Sequence, residues 1–283
     1  MALFGGITAL TSEKAAPPGV DTTRPSIARV YDYYLGGKDN FAVDRHAAQM
    51  AMQVTPDGPE AGRACRAFLR RSVRHLAAEA GIRQFLDIGS GLPTQGNVHE
   101  IAHEVDPDAR VVYVDNDAMA LVHGRALLAD ARTTTVIGAD ARQPEELLGQ
   151  LHDLRLIDFD QPVGLLLLAI LHHLNDDDDP AGVARRLVAA LPSGSYLAIS
   201  HFHDPGEARP EISQRARAVE RVFNETLGTG RWRTHAEIMS FFGDLEMLPP
   251  GLVPLAEWRP DGEEVPRQTG TYHTIVGGVA RKP

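Results

Sequence analysis

Cysteine is almost missing from this chain. Cys65 is the one thiol in 283 residues, so no disulfide closes within it and a cysteine-built metal site is excluded. Positive charge is also short. Lys and Arg number 28 against 38 Asp and Glu, for a formal net charge of -10. An acidic chain gains no general attraction to phosphate backbones, so a nucleic-acid partner is not expected. No apolar run is long enough to span a bilayer. The opening MALFGGITAL has no basic residue ahead of it and makes a poor signal peptide. A cytoplasmic protein without a membrane partner is expected, as a monomer or homodimer. Repeats and low-complexity tracts are absent as well. What is present is ordinary: 43% hydrophobic and 23% charged residues, enough chain for one large α/β domain with additions.

The stretch Gln84–Gly91, QFLDIGSG, organises the remainder. Phe85, Leu86 and Ile88 form a short apolar run that ends in Gly89-Ser90-Gly91. Such a run reads as a buried parallel strand breaking into a turn. Helical spacing follows from Gly96, so the unit is strand, glycine turn, helix, the opening of a nucleotide-binding α/β fold. A Cβ in that turn would hold a ligand away from the main chain.

The same alternation continues. Strands are expected at Phe85–Ile88, Arg110–Asp115, Thr133–Gly138, Val163–Ile170 and Ser195–Ser200, with helices at Gly96–Val105, Ala118–Ala131, Pro144–Leu151 and Pro180–Leu191. Strands separated by helices pair in parallel, and their continuous apolar runs imply cover on both faces. Glu211–Leu227 and Thr234–Phe242 read as helices, the second capped by Thr234. Leu252–Trp258 and Thr271–Ala280 read as two last strands. Residues 1–23 read as a mobile tail, 24–80 as a helical lid region, and 81–283 as the sheet domain, with 24–283 forming one unit. In the lid, Ile27, Val30, Tyr31 and Tyr34 share a helix face ended by Gly36-Gly37, and two helices follow, broken near Thr55–Pro59. The arginines at 63, 66, 70, 71 and 74 read most simply as a solvated helix face. Cys65, in the same stretch, reads as a packing residue.

The turn discriminates between nucleotides. A nicotinamide dinucleotide needs G-x-G-x-x-G/A, whereas this run places Thr94 third and Pro93 beside it. Asp87, just ahead of the glycines, would repel a diphosphate but suits a cation. Asp115, ending the second strand, can accept both ribose hydroxyls. Asp140, after the third, can accept from an adenine amino group. Adenosine with a positive group and no phosphates describes S-adenosylmethionine, with S-adenosylhomocysteine as its product. Ser90, Gly91 and Leu168, at the end of strand four, are further candidate contacts.

The motif Leu86–Gly91 resembles the first motif of class I S-adenosylmethionine-dependent methyltransferases. More narrowly, RPSIARVYDYYLGGKDNF, FLDIGSGLPTQGNVHE, VVYVDND, HHLNDDDD and PPGLVPLAEWRP are similar to a bacterial family long classed as a domain of unknown function and named for S-adenosyl methyltransferase activity. The likeness runs from about Thr23 to the C-terminus. It implies a Rossmann-like, seven-stranded, mostly parallel sheet with helices on both faces, an antiparallel last strand and the N-terminal helical lid. It also implies cofactor contacts at Asp87, Gly89, Asp115, Asn116, Asp140 and Ala141. Arg24 would take the methionine carboxylate, with Tyr31 or Tyr34 beside it. The acceptor, a small molecule, is not specified by any motif. A non-catalytic module that binds the same ligands is the alternative reading.

Chemistry is expected beyond strands four and five. His172 or His173 is placed either to act as a base or to line the pocket without proton transfer. His201 and His203 alternate on one strand face and could reach the same acceptor. No metal site is expected, since no ligand spacing supports one. The acids at 176–179 read as the solvated N-terminus of the next helix.

Overall fold

The computed structural model describes residues 16–93, 96–128, 132–262 and 269–283. Three helices open it: α1 (Ile27–Tyr34), α2 (Ala42–Val54) and α3 (Gly58–Ala78). Then come β1 (Gln84–Ile88), α4 (Val98–Val105), β2 (Arg110–Asp115), α5 (Ala118–Leu127), β3 (Thr134–Gly138), α6 (Pro144–Asp153), β4 (Gly164–Leu168), α7 (Pro180–Ala189) and β5 (Tyr196–Phe202). The chain continues through α8 (Pro210–Leu227), α9 (His235–Ser240), β6 (Glu246–Met247), β7 (Val253–Pro254), α10 (Gly270–Thr274) and β8 (Ile275–Arg281).

Five strands pair in parallel in the order β3-β2-β1-β4-β5, with β3 at the sheet edge. Alternate residues of β1 serve opposite faces, as strand geometry requires. Phe85 packs with α3 and α4 through Phe68, Leu76 and Ile101. Leu86 and Ile88 pack with α6, α7 and α9 through Leu147, Val183 and Ile238. The apolar runs are continuous because both faces are covered. No helix among the described residues is long and apolar enough to cross a membrane.

The sheet has eight strands rather than the expected seven. The last, β8, runs antiparallel to β5, as expected, and also pairs with β6 and β7. Of the expected strand Leu252–Trp258 only Val253–Pro254 is bonded. Pro254 has no amide to extend the ladder, and a tight 3-10 turn at Leu255–Glu257 follows. That turn seats Leu255 and Trp258 against α3, where the Trp258 and Phe68 rings meet edge to face at 5.3 Å. The other expected strand begins as α10 and becomes extended only from Ile275.

Two further expectations are revised in the N-terminal region. The last helix of the expected lid, α3, belongs to the layer that covers the sheet. Arg71 is buried and donates to the carbonyls of Trp258 (2.9 Å) and Leu255 (2.6 Å), so it is no solvated arginine. Nor is all of 1–23 a tail. Ala16 and Val20 pack with Phe41, Leu92 and Met119. The first fifteen residues, Thr94, and the expected helix end at 129–131 lie outside the described residues. Thr234 caps α9 as expected, accepting from the Glu237 amide.

Candidate functional site

β1 ends in a turn that only glycine can make without displacement. Gly89 has φ +73, and a Cβ there would sit 2.7 Å from Ile170 Cδ1. The amides of Gly89 (2.8 Å) and Ser90 (3.2 Å) donate to the carbonyl of Val114 on β2. This draws the two strand ends together. Asp115 then fastens the loop, accepting from Gly91 N through Oδ2 (2.7 Å) and from Asp117 N through Oδ1 (2.8 Å). Burial raises its pKa, although these amide bonds oppose the shift. Asp117 caps α5, accepting from the amides of Met119 and Ala120.

A cavity of about 640 Å³ opens above this turn. One end is lined by Asp87, Gly89, Ser90, Gly91, Asp115, Asn116 and Leu168, all expected contacts. Asp87 is almost fully buried, and its carboxyl is pushed up to about 7, with Arg66 nearby holding the shift back. An acid so placed gains from a cationic neighbour. The N-terminal segment covers this end, bringing Arg24, Tyr31 and Tyr34 to the cavity. The two phenol groups donate to the carbonyls of Gly62 (3.1 Å) and Ala48 (3.4 Å). A buried ion pair, Arg29 to Asp44 at 2.8 Å, holds the segment in place. Arg29 also donates to the carbonyls of Asp21 and Arg24, and Asp44 accepts from the amides of Ser26 and Phe41. Ser26 Oγ donates to Asp117, tying the cover to the second strand's loop.

Two expected contacts lie beside the cavity rather than on its wall. Asp140 and Ala141 do not line the cavity. The Asp140 carboxylate is forked onto Arg142, two residues away, with Nε at 3.0 and 3.1 Å. That pairing holds its pKa low. Asp140 also bonds the side chain of Asn116, which does line the cavity.

The opposite end is aromatic. His172, Phe202 and Trp232 form a stack, with centroids 3.6 Å and 4.1 Å apart. Phe223 stands across it, 89° to Phe202 and 85° to Trp232. His173 lies parallel to Phe223 at 6.3 Å. All five rings line the cavity.

The expected catalytic histidines are poorly set up as bases. His201 does not line the cavity. Its Nδ1 bonds the Phe202 carbonyl (2.7 Å), and its Nε2 faces Arg233 Nη1 (3.2 Å). A second proton would sit against a guanidinium, so this ring is structural. Burial depresses its pKa to about 3. His172 spends its Nδ1 lone pair on the Phe202 amide (3.2 Å), and burial drives its pKa well down. His173 is depressed to about 3 for the same reason, and its buried Nδ1 has no hydrogen-bond partner among the described residues. His203 bonds the His273 carbonyl (2.9 Å) and is also off the cavity. Asp176 is not merely solvated, because it pairs with Arg233 at 2.7 Å. Arg233 also bonds the carbonyls of Leu171 and Leu174, locking the turn that carries both histidines. Among the described residues no cluster of His, Cys, Asp and Glu could hold a metal.

Several residues on the cavity were not singled out from sequence as site residues. Arg66 looked like one of a solvated row, yet it reaches the cavity beside Asp87. Gly19, Val20 and Asp21 come from the expected tail. Phe202, Phe223 and Trp232 lie in three separate elements, and no local pattern marks their convergence.

Comparisons with known proteins give the family and the fold. The sequence model of a family described as S-adenosyl methyltransferase matches residues 13–283. No curated protein matches. Among solved structures, a candidate methyltransferase from Thermobifida fusca is 46% identical, covering 94% of this chain and 98% of that one at a TM-score of 0.87. A DUF574 family protein from Streptomyces avermitilis is 41% identical, covering 93% and 99% at a TM-score of 0.86. An O-methyltransferase family protein from Burkholderia thailandensis, 12% identical over 89% of this chain and 63% of that one, shares the fold at a TM-score of 0.51.

Proposed function

This chain belongs to the S-adenosyl methyltransferase family, and from that premise we propose that it catalyses transfer of a methyl group from S-adenosylmethionine to a small molecule held in the same chamber. The observation carrying this reading is one cavity with a glycine-and-carboxylate wall at one end and an aromatic wall at the other. Its 640 Å³ falls within the roughly 300–1,000 Å³ usual for small-molecule sites. When bound, S-adenosylmethionine supplies an electrophilic methyl carbon and leaves as S-adenosylhomocysteine.

The residues fit that ligand. The bare main chain at Gly89 and Gly91 admits close approach. Asp115 keeps lone pairs free for ribose hydroxyls beyond its two amide bonds, and Asn116 lies beside it. Asp87 favours a positive charge, while Arg24 and Arg66 bring positive charge to the same cavity, suited to a carboxylate. The chain's contribution is then to position both molecules and keep water out, which can supply much of a barrier reduction. His172 has committed its Nδ1 lone pair and His201 both ring nitrogens, so the favoured acceptor presents a lone pair at neutral pH without a protein base. The reading includes a cytoplasmic location and no nucleic-acid or membrane partner.

Thermal shift with S-adenosylmethionine, S-adenosylhomocysteine and NAD is the first test, because a ligand of the native state raises its melting point. Stabilisation by NAD alone would overturn the reading. A screen of metabolites with methyl-labelled donor is the second. Firm donor binding with no transfer across a broad panel would instead favour a binding module.

A further inference from the structure

The aromatic end of the chamber carries information about the acceptor. Three rings are stacked there, and Phe223 with His173 forms a second wall at right angles to the stack. Aromatic pairs favour offset stacking and edge-to-face contact, which rewards a flat ring over a flexible chain. Along α8 the residues Ala216, Val219 and Phe223 all line the cavity, following helical spacing. They form an apolar rail from the aromatic end towards the rim.

The rail ends at Arg215, which also lines the cavity. Among the described residues no carboxylate pairs with its guanidinium. Asp57 lies on the same rim, and its Oδ2 is within 3.8 Å of the point where a Gly270 side chain would begin, as Arg215 Nη1 is at 3.7 Å. Yet that oxygen already accepts from the amide (3.0 Å) and hydroxyl (2.9 Å) of Thr271. Phe223 and Arg215 are eight residues apart, roughly 12 Å along a helix. A molecule touching both ends must therefore be extended as well as flat.

We propose that the methyl acceptor is a planar aromatic molecule bearing an anionic group, with its rings against Phe202, Phe223 and Trp232 and its charge against Arg215. The proposal rests on the donor-binding reading of the opposite end. It assigns α8 as the element that selects the acceptor.

Trp232 provides a direct readout without turnover. The only other tryptophan, Trp258, is fully buried against α3 and reports a different region. The experiment titrates the S-adenosylhomocysteine-saturated protein with 2-naphthoate, 2-naphthamide, 2-naphthylmethylammonium and decanoate. Trp232 fluorescence and calorimetry are both read, for the wild type and for Arg215→Gln and Phe223→Leu.

Naphthoate is expected to bind best. Arg215→Gln should weaken it about tenfold or more, an Arg–carboxylate contact being charge-assisted, and should leave the amide unchanged. Phe223→Leu should weaken both naphthyl acids and amides. In each variant S-adenosylhomocysteine should bind as in the wild type. Equal naphthoate affinity in wild type and Arg215→Gln would overturn the proposal. So would tighter binding of the ammonium compound, parity of decanoate with naphthoate, or no binding of any probe to the saturated protein. Failure of S-adenosylhomocysteine itself to bind would instead strike the donor reading beneath it.

Discussion

At the glycine-turn end of the chamber, Asp115 and Asp117 are bonded to main-chain amides, and the loop is set before a ligand arrives. At the aromatic end the lining rings make few polar bonds, and the imidazoles are kept neutral by burial. The first end offers charge and fixed hydrogen bonds, the other offers shape. Damage at the first should therefore be large and electrostatic, whereas at the second it should be small for any single polar atom and larger for lost ring surface.

The largest effect is expected at Gly89→Ala. A left-handed backbone alone costs a residue with a Cβ about 1–2 kcal/mol, and contact with Ile170 adds an overpacking cost of about 1–3 kcal/mol. Denaturant melts should show that loss, and calorimetry should find no donor binding. A stable Gly89→Ala protein that still binds would mean the turn is not the cradle.

Next comes Asp115→Ala, which removes the acceptor of two amide bonds together with the expected ribose contact. Donor affinity should fall by about 1–3 kcal/mol, the range for lost or unsatisfied polar partners. Unchanged affinity in calorimetry of the folded variant would reject the ribose role.

Asp87 sharpens the comparison through pH. Its folded pKa of about 7 lies above the ordinary 3.8, so the fold takes up a proton between those values. Its contribution to stability is thus lost as pH rises through that window. Asp87→Asn should gain stability relative to wild type at about pH 8 compared with about pH 4. A cationic donor favours the ionised form, so wild-type affinity should climb from about pH 5 to about pH 8 with proton release, and the variant's should stay flat. Parallel profiles for both proteins would separate Asp87 from the donor's charge.

The smallest effect is expected at His173→Gln. Removing a true general base costs about 10²–10⁴ in rate. Less than about tenfold is expected here, because burial leaves the imidazole weakly basic. A loss of a hundredfold or more in kcat, with donor affinity intact, would break the contrast between the two ends.

Much of this was legible in the sequence, for physical reasons. Strands β1, β2, β4 and β5 announce themselves because both faces are largely covered and most side chains can be apolar. Asp87, Gly89 and Asp115 stand at strand ends, where a crevice must lie. What could not be read depends on distant partners. Arg71 looks solvated until the carbonyls of Leu255 and Trp258 arrive from the other end of the chain. Val253–Pro254 is too short for any period to show. Asp140 stands where an adenine contact belongs, but nothing local announces its pairing with Arg142. The aromatic box draws on β5, α8 and the loop at Trp232, and none of these alone suggests a wall.

The placement of β8 sets a limit on how this protein can be trimmed. Because β6 and β7 both bond to it, it works as a keystone for the antiparallel flank. Deleting Ile275–Arg281 would leave every parallel strand intact on paper. In practice it would orphan two short ladders, bare the outer rim of β5 and strip the seat beneath Phe68 and Leu255, which close over Gly277. An engineer seeking a minimal nucleoside-binding scaffold should keep this final segment before any of the loops.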